Sequence, residues 1–174
     1  RAGGPKPLFS VDTGRGIKFA EAKKLHQFYE AMIEFETEDV FLDFVRHGCS
    51  VTVTTAAGIA SVVAAASFLV AADGIFVDAL AVSHGKHPDA FKIDPDALEE
   101  AKHPIPDSAC GGNFQECGFG SFLLALVSRL ATLGCATTPN VCLKAHAEKE
   151  DFCTHRGFRA LLSSGFTAPT ALFA

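Results

Sequence analysis

The chain has 174 residues, 48% of them apolar and 20% charged, with a net charge of −5 and a mean hydropathy of +0.23. That length suits one domain, or one to two membrane spans with loops, in a chain more apolar than an ordinary globular domain. The Lys and Arg residues are dispersed, so there is no basic stripe to neutralise phosphates and nucleic acid is not expected as a partner.

The first residue is Arg rather than Met, which points to processing such as removal of a targeting peptide. Trp is absent, Tyr appears once and Phe sixteen times, so the usual aromatic belt of a membrane protein is missing.

Residues 1–17, RAGGPKPLFSVDTGRGI, are rich in Gly and Pro and read as an extended arm. Residues 18–47 read as an amphipathic helical segment, with Phe19, Leu25, Phe28, Met32 and Ile33 at helical spacing. Thr37 is placed to cap a second helix, VFLDFVRH, with Glu38 and Asp39 in its first turn and Arg46 and His47 at its end. Its apolar face, Val40, Phe41, Phe44 and Val45, would pack on a partner.

Residues 48–72 are expected to form a first transmembrane helix. The stretch 50–72, SVTVTTAAGIASVVAAASFLVAA, carries no charge. As a helix it would extend about 34 Å, enough to cross a hydrocarbon core of about 30 Å. Ala56, Ala60 and Ala64 lie four apart with Gly58 beside them, the small-residue pattern that lets membrane helices pack closely.

Residues 73–117 read as an acidic polar loop, with nine acidic residues against three Lys and a short capped helix near Asp96 to Glu100. Residues 118–136, GFGSFLLALVSRLATLGCA, form a second apolar stretch, expected as a second span carrying Arg129. Residues 137–174 read as a C-terminal helix and arm. Seven Lys and Arg precede the first span and three lie in the loop, which would place both termini on the positive side.

Chemistry-bearing patterns are sparse. His84 and His87, with Asp89 nearby, could ligate Zn²⁺ or Fe²⁺, although a solvated loop is the ordinary reading. His47, beside the first span, could be an axial ligand to chlorophyll or haem; the ordinary reading is a helix-terminal His meeting the dipole. Arg129 could bind a lipid phosphate or a pigment carbonyl, or simply snorkel. Gly118-x-Gly120 lacks the following Lys-Ser/Thr of a phosphate loop and any preceding strand pattern. The six Cys form no C-x-x-C and read as free thiols.

These features predict an all-α fold, a small integral membrane protein with one or two transmembrane helices. The function expected is a non-catalytic accessory subunit of a multi-subunit organellar membrane complex, foremost a photosystem in the thylakoid. It would stabilise assembly beside larger membrane subunits and contact chlorophyll, carotenoid or lipid. The alternatives are an accessory subunit of a mitochondrial inner-membrane respiratory or ATP synthase complex, a membrane-bound metal or thiol-redox enzyme, and a helical binding domain built around residues 50–72.

Overall fold

Most of the stretch expected as a first span is two β-strands. In the computed structural model, β2 (Cys49–Thr55) pairs antiparallel with β3 (Val62–Val70), Ser50 opposite Ser67 and Val51 opposite Ala66. The run of β-branched residues from Val51 to Thr55 is stiff at χ1 and suits a pleated strand better than a helix. The absence of a polar stripe has a different cause from lipid. Six consecutive residues of β3, Val63–Phe68, are buried. A strand covered on both faces reads as one apolar run.

The structure describes residues 9–15, 19–33, 36–55, 62–71, 74–84, 112–134, 140–144, 150–160 and 165–169. Around β2 and β3 it builds a mixed α/β fold, which replaces the all-α expectation. The sheet is seven-stranded in the order β1-β2-β3-β4-β5-β7-β6. The other strands are β1 (Phe9–Arg15), β4 (Gly74–Val82), β5 (Asn140–Lys144), β6 (Arg159–Ala160) and β7 (Gly165–Pro169). The helices are α1 (Phe19–Met32), α2 (Glu38–His47), α3 (Phe119–Gly134) and the short α4 (Glu150–Thr154), with a 3₁₀ turn at Gln115–Cys117. No helix among the described residues is long and apolar enough to cross a membrane. The second expected span is helical, as α3, but it packs on the sheet: Leu123, Leu124 and Val127 are fully buried against Ala64, Ala66 and Val77.

The expected amphipathic segment is also helical, as α1 and α2. Its apolar face meets the other side of the sheet, where Ala22, Leu25, Tyr29, Phe41 and Val45 pack on Ala65, Ala79 and Ala81. Thr37 stands at the N-cap of α2 in an extended conformation, but its side chain makes no capping hydrogen bond. The small residues of β3 thus serve both layers. Ala64 packs toward α3 and Ala65 toward α1 and α2, a role unlike the helix packing expected of Ala64. Ala56, Gly58, Ala60 and the Asp96–Glu100 helix lie outside the described residues. The acidic loop begins instead with a strand, β4, and part of the N-terminal arm is the edge strand β1, Val11 opposite Val53.

The first four strands form an antiparallel meander. β5 then runs parallel to β4, from Gly74 opposite Asn140 to Val77 opposite Leu143. At Gly74 the strands pass so closely that a Cβ would sit 2.8 Å from the Asn140 carbonyl oxygen. That contact is backbone and cannot rotate away. Gly74→Ala is expected to cost about 1–3 kcal/mol by overpacking and to lower the Tm by about 2–4 °C per kcal/mol. Thermal unfolding followed by circular dichroism reads the shift.

Candidate functional site at the parting of β4 and β5

Phe68 pairs with Val77 and Ser67 with Ala79, so Asp78 is an extra residue in β4, a β-bulge. A bulge bends its strand and ends regular pairing on the far side. The ladder with β5 stops at Val77, immediately before it. The carboxyl half of β4, Asp78 to Val82, therefore continues with β3 on one side and no β5 partner on the other. In sheets with parallel strands, ligands collect beyond the carboxyl ends, where neighbouring strands part.

The chain fills this opening with the start of α3. Ser83, just past β4, donates its N–H to the Val63 carbonyl at 2.8 Å, and its own carbonyl accepts the Phe114 N–H at 2.9 Å. Its hydroxyl donates to the Gly112 carbonyl at 3.2 Å. These bonds tie the segment entering α3 to the end of β4. The Asn113 side chain accepts the Gln115 N–H at 3.1 Å and opens the 3₁₀ turn, which closes on Gly118 in the left-handed region at φ 81°. Phe122 N–H then donates to the Gly118 carbonyl at 3.0 Å, the first α-helical bond. The N–H groups of Phe119, Gly120 and Ser121 have no intrahelical acceptor, and together they form the positive end of the helix dipole.

Gly120 brings this turn close to its neighbours. A Cβ there would lie 3.2 Å from the Phe152 ring and 3.9 Å from Leu80 Cδ2, so the first turn of α3 sits between β4 and α4. Arg156, in the turn after α4, donates from Nε to the Ser121 hydroxyl at 2.7 Å. Its guanidinium lies 3.9 Å from the centroid of the Phe152 ring. No carboxylate pairs with it among the described residues. A helix N-terminus with an arginine beside it and open space over Gly118 is a place for an anion, phosphate above all. Gly118 itself lines an apolar cavity of about 260 Å³ together with Phe9, Val11, Val53, Cys117, Phe119 and Phe122.

Burial pushes the Cys117 thiol up, and Glu116 adds to the effect, so the sulfur is held as a neutral thiol. Burial likewise raises Cys49, with Arg15 pulling the other way. Tyr29, the sole tyrosine, lies on the opposite face, within 3.0 Å of the Ser67 hydroxyl. Burial drives its ionisation far above the ordinary phenol range, against the Ser67 hydrogen bond, so it is not a proton donor to this site.

The residues singled out from the sequence fall elsewhere, with one exception. His47 is exposed at the end of α2 and Arg129 is exposed on α3, on opposite sides of the sheet. His87 lies outside the described residues, and no group of three or more His, Cys, Asp or Glu fit to hold a metal occurs among those described. His84 is the exception: it follows Ser83 at the mouth of the site. Gly118 and Gly120 have no strand directly before them in the sequence. The strand that leads to them is β4, more than thirty residues upstream, and the signal for their role is the glycine pair opening an apolar helix.

No protein-family model matches the chain, and no curated protein matches it. Solved structures do share its fold. A GNAT-family acetyltransferase from Staphylococcus aureus Mu50 is 12% identical, with TM-score 0.58, over 92% of this chain and 99% of that one. A point mutant of the AtaT toxin, solved with the C-terminus of the antitoxin AtaR and acetyl-CoA, is 10% identical with TM-score 0.55 over 96% of each chain. A chain of the KacTA–DNA complex is 13% identical with TM-score 0.55 over 95% of each chain. These likenesses confirm the mixed α/β fold and overturn the expectations built on membrane spans. The neighbours are acetyltransferases and toxin–antitoxin proteins, not non-catalytic subunits of a photosystem or respiratory complex. Acetyl-CoA, not chlorophyll or carotenoid, is the small molecule seen with one of them, and an antitoxin or DNA stands where larger membrane subunits were expected. With no membrane-spanning helix among the described residues, the thylakoid and mitochondrial placements lose their basis.

Proposed function

We propose that this chain is an acetyltransferase that takes the acetyl group from acetyl-CoA and passes it to an amine. The observation that carries the reading is the start of α3, set at the parting of β4 and β5 with Arg156 beside it. The fold supports it, since a neighbour of the same architecture was solved with acetyl-CoA.

The parts of the donor molecule suit the parts of the site. The pyrophosphate needs N–H donors and positive charge, and the first turn of α3 offers both. Arg156 adds a charge-assisted contact. The long arm of the donor carries amide groups, and the unpaired edge of β4 beyond the bulge presents backbone groups that can bond them as an added strand would. The site itself holds the thioester carbonyl against an acceptor. An amine attacks that carbon, the C–N bond forms and the C–S bond breaks.

Calorimetric titration with acetyl-CoA tests this. Saturable binding is expected below about 1 mM, the top of the ordinary range for enzyme substrates, and its absence sinks the reading. Arg156→Ala is expected to raise the Kd roughly tenfold, the size of one charge-assisted hydrogen bond at a partly exposed site. The difference should shrink as salt is added, because the lost contact is screened.

A further inference from the structure

Two large apolar side chains stand exposed over one cavity. Phe122, in the first turns of α3, is 43% exposed and Val11, on the edge strand β1, is 44% exposed. Both line the space that Gly118 shares. Exposed apolar groups scattered singly are ordinary, but two that meet over a concave apolar site mark a place where an apolar group binds.

The walls of this cavity are held from behind. Phe9 meets Phe119 edge-on at 5.2 Å, and each of them meets Phe114 at 6.0 Å. Phe114 is fully buried in the core beneath α3. On the strand side, Phe9 pairs with Thr55 and Val11 with Val53, so the β1–β2 ladder fixes that wall. The space of about 260 Å³ between them is preformed, and a ligand that enters it pays little for ordering side chains.

The occupant must suit both the cavity and its neighbour. Gly118 and Phe119 line the cavity, and the same two residues open α3. The Gly118 carbonyl accepts the first helical bond, and the Phe119 N–H is among those left without an intrahelical acceptor. A phosphate held at that turn therefore has the cavity next to it. In acetyl-CoA the pyrophosphate carries the acyl arm on one side and, one ribose away on the other, an adenine. The arm bears amides that need hydrogen-bond partners, whereas the lining offers rings, valines and a thiol. Adenine has two π faces and keeps its polar atoms on its rim. It can stack on a phenylalanine while that rim stays wet at the open mouth between Val11 and Phe122.

We propose that this cavity takes the adenine of acetyl-CoA, with Phe122 as the ring on which it stacks; this rests on the acetyl-CoA reading above. The donor then lies across the start of α3, with its acetyl arm toward the unpaired edge of β4 and its base toward β1. Phe122 selects the nucleotide part of the donor and has no part in the acyl transfer itself.

The test uses the full chain and two acetyl donors, acetyl-CoA and acetyl-phosphopantetheine, which keeps the arm and one phosphate but lacks the nucleotide. Calorimetry gives the Kd of each. Phe122→Ala is expected to raise the Kd for acetyl-CoA about 5–100-fold, the range for losing one base–aromatic stack, and to leave that for acetyl-phosphopantetheine at the parent's value. Phe122→Tyr keeps the ring and should keep both affinities. Val11→Phe fills the cavity from the edge strand and should weaken acetyl-CoA with the same selectivity, so the result does not hang on the folding of one variant. Equal losses for the two donors, or no loss for either, would overturn the proposal and leave the donor reading standing, because the parent still binds acetyl-CoA. A parent chain that does not bind acetyl-CoA removes the donor reading and this inference together.

Discussion

Phe41→Ala is expected to lower the Tm by about 10 °C, a loss set by the void that a missing core ring leaves. Phe41 is fully buried on α2, and its ring meets Tyr29 edge-on at 5.7 Å and stacks on Phe44 at 6.4 Å. It also lies 5.6 Å from the His26 ring, whose Nε2 donates to the Glu36 carbonyl at 2.8 Å and ties α1 to the segment entering α2. Removing the ring leaves a void among groups held by helix and sheet on all sides, and such voids cost about 3–5 kcal/mol. Phe41→Leu fills most of the space and should cost less than about 1.5 kcal/mol. Differential scanning calorimetry decides the matter. A Tm loss under about 2 °C for Phe41→Ala, well short of the cost of a core void, would mean that α2 is not packed on the sheet. The site lies on the other face, so the acetyl-CoA affinity of the folded variant should match that of the parent, as distant sites act independently.

The helices are legible in the sequence because their signal is local. Leu25, Phe28, Met32, Phe41 and Val45 repeat at helical spacing whatever they pack against. The sheet is not legible, because its signal depends on what covers it. β3 is covered by α1 and α2 on one face and by α3 on the other, so it lacks the alternation that marks a strand. Its alanines, which let helices approach from two sides, look like a helix-packing stripe. Reading residues 50–72 as a span makes α3 a second one, and the glycines that open it then lose their meaning. β4 is hidden differently. Asp78 sits in the bulge and breaks the apolar run of GIFVDALAV, so the strand merges into an acidic loop. The residue that hides the strand is the one that ends its pairing with β5. Of the histidine pair singled out in the sequence, His84 lies just past the end of β4 and His87 lies outside the described residues.

Gly118→Val should raise the Kd for acetyl-CoA by more than about tenfold while leaving most of the fold in place. Gly118 has φ 81°, where a β-branched residue is strained by roughly 1–2 kcal/mol, so the Tm should fall by only a few degrees. The larger effect is on the site. No atom lies within 4 Å of where a Cβ would stand, so nothing pushes the new methyl groups away from the open mouth of the helix. They would fill part of the open space at the first turn of α3, which Gly118 shares with Phe119 and Phe122. Each lost bond to a charged oxygen is worth about 1.5–3 kcal/mol, or roughly one to two powers of ten in affinity. Gly118→Asn separates strain from obstruction, because asparagine tolerates the left-handed region and should keep a Tm near the parent's. If both substitutions weaken acetyl-CoA in proportion to the size of the side chain, the first turn of α3 is the binding surface. If Gly118→Val unfolds the protein no further than Gly118→Asn and neither changes the Kd, the anion lies elsewhere and the donor site must be sought away from α3.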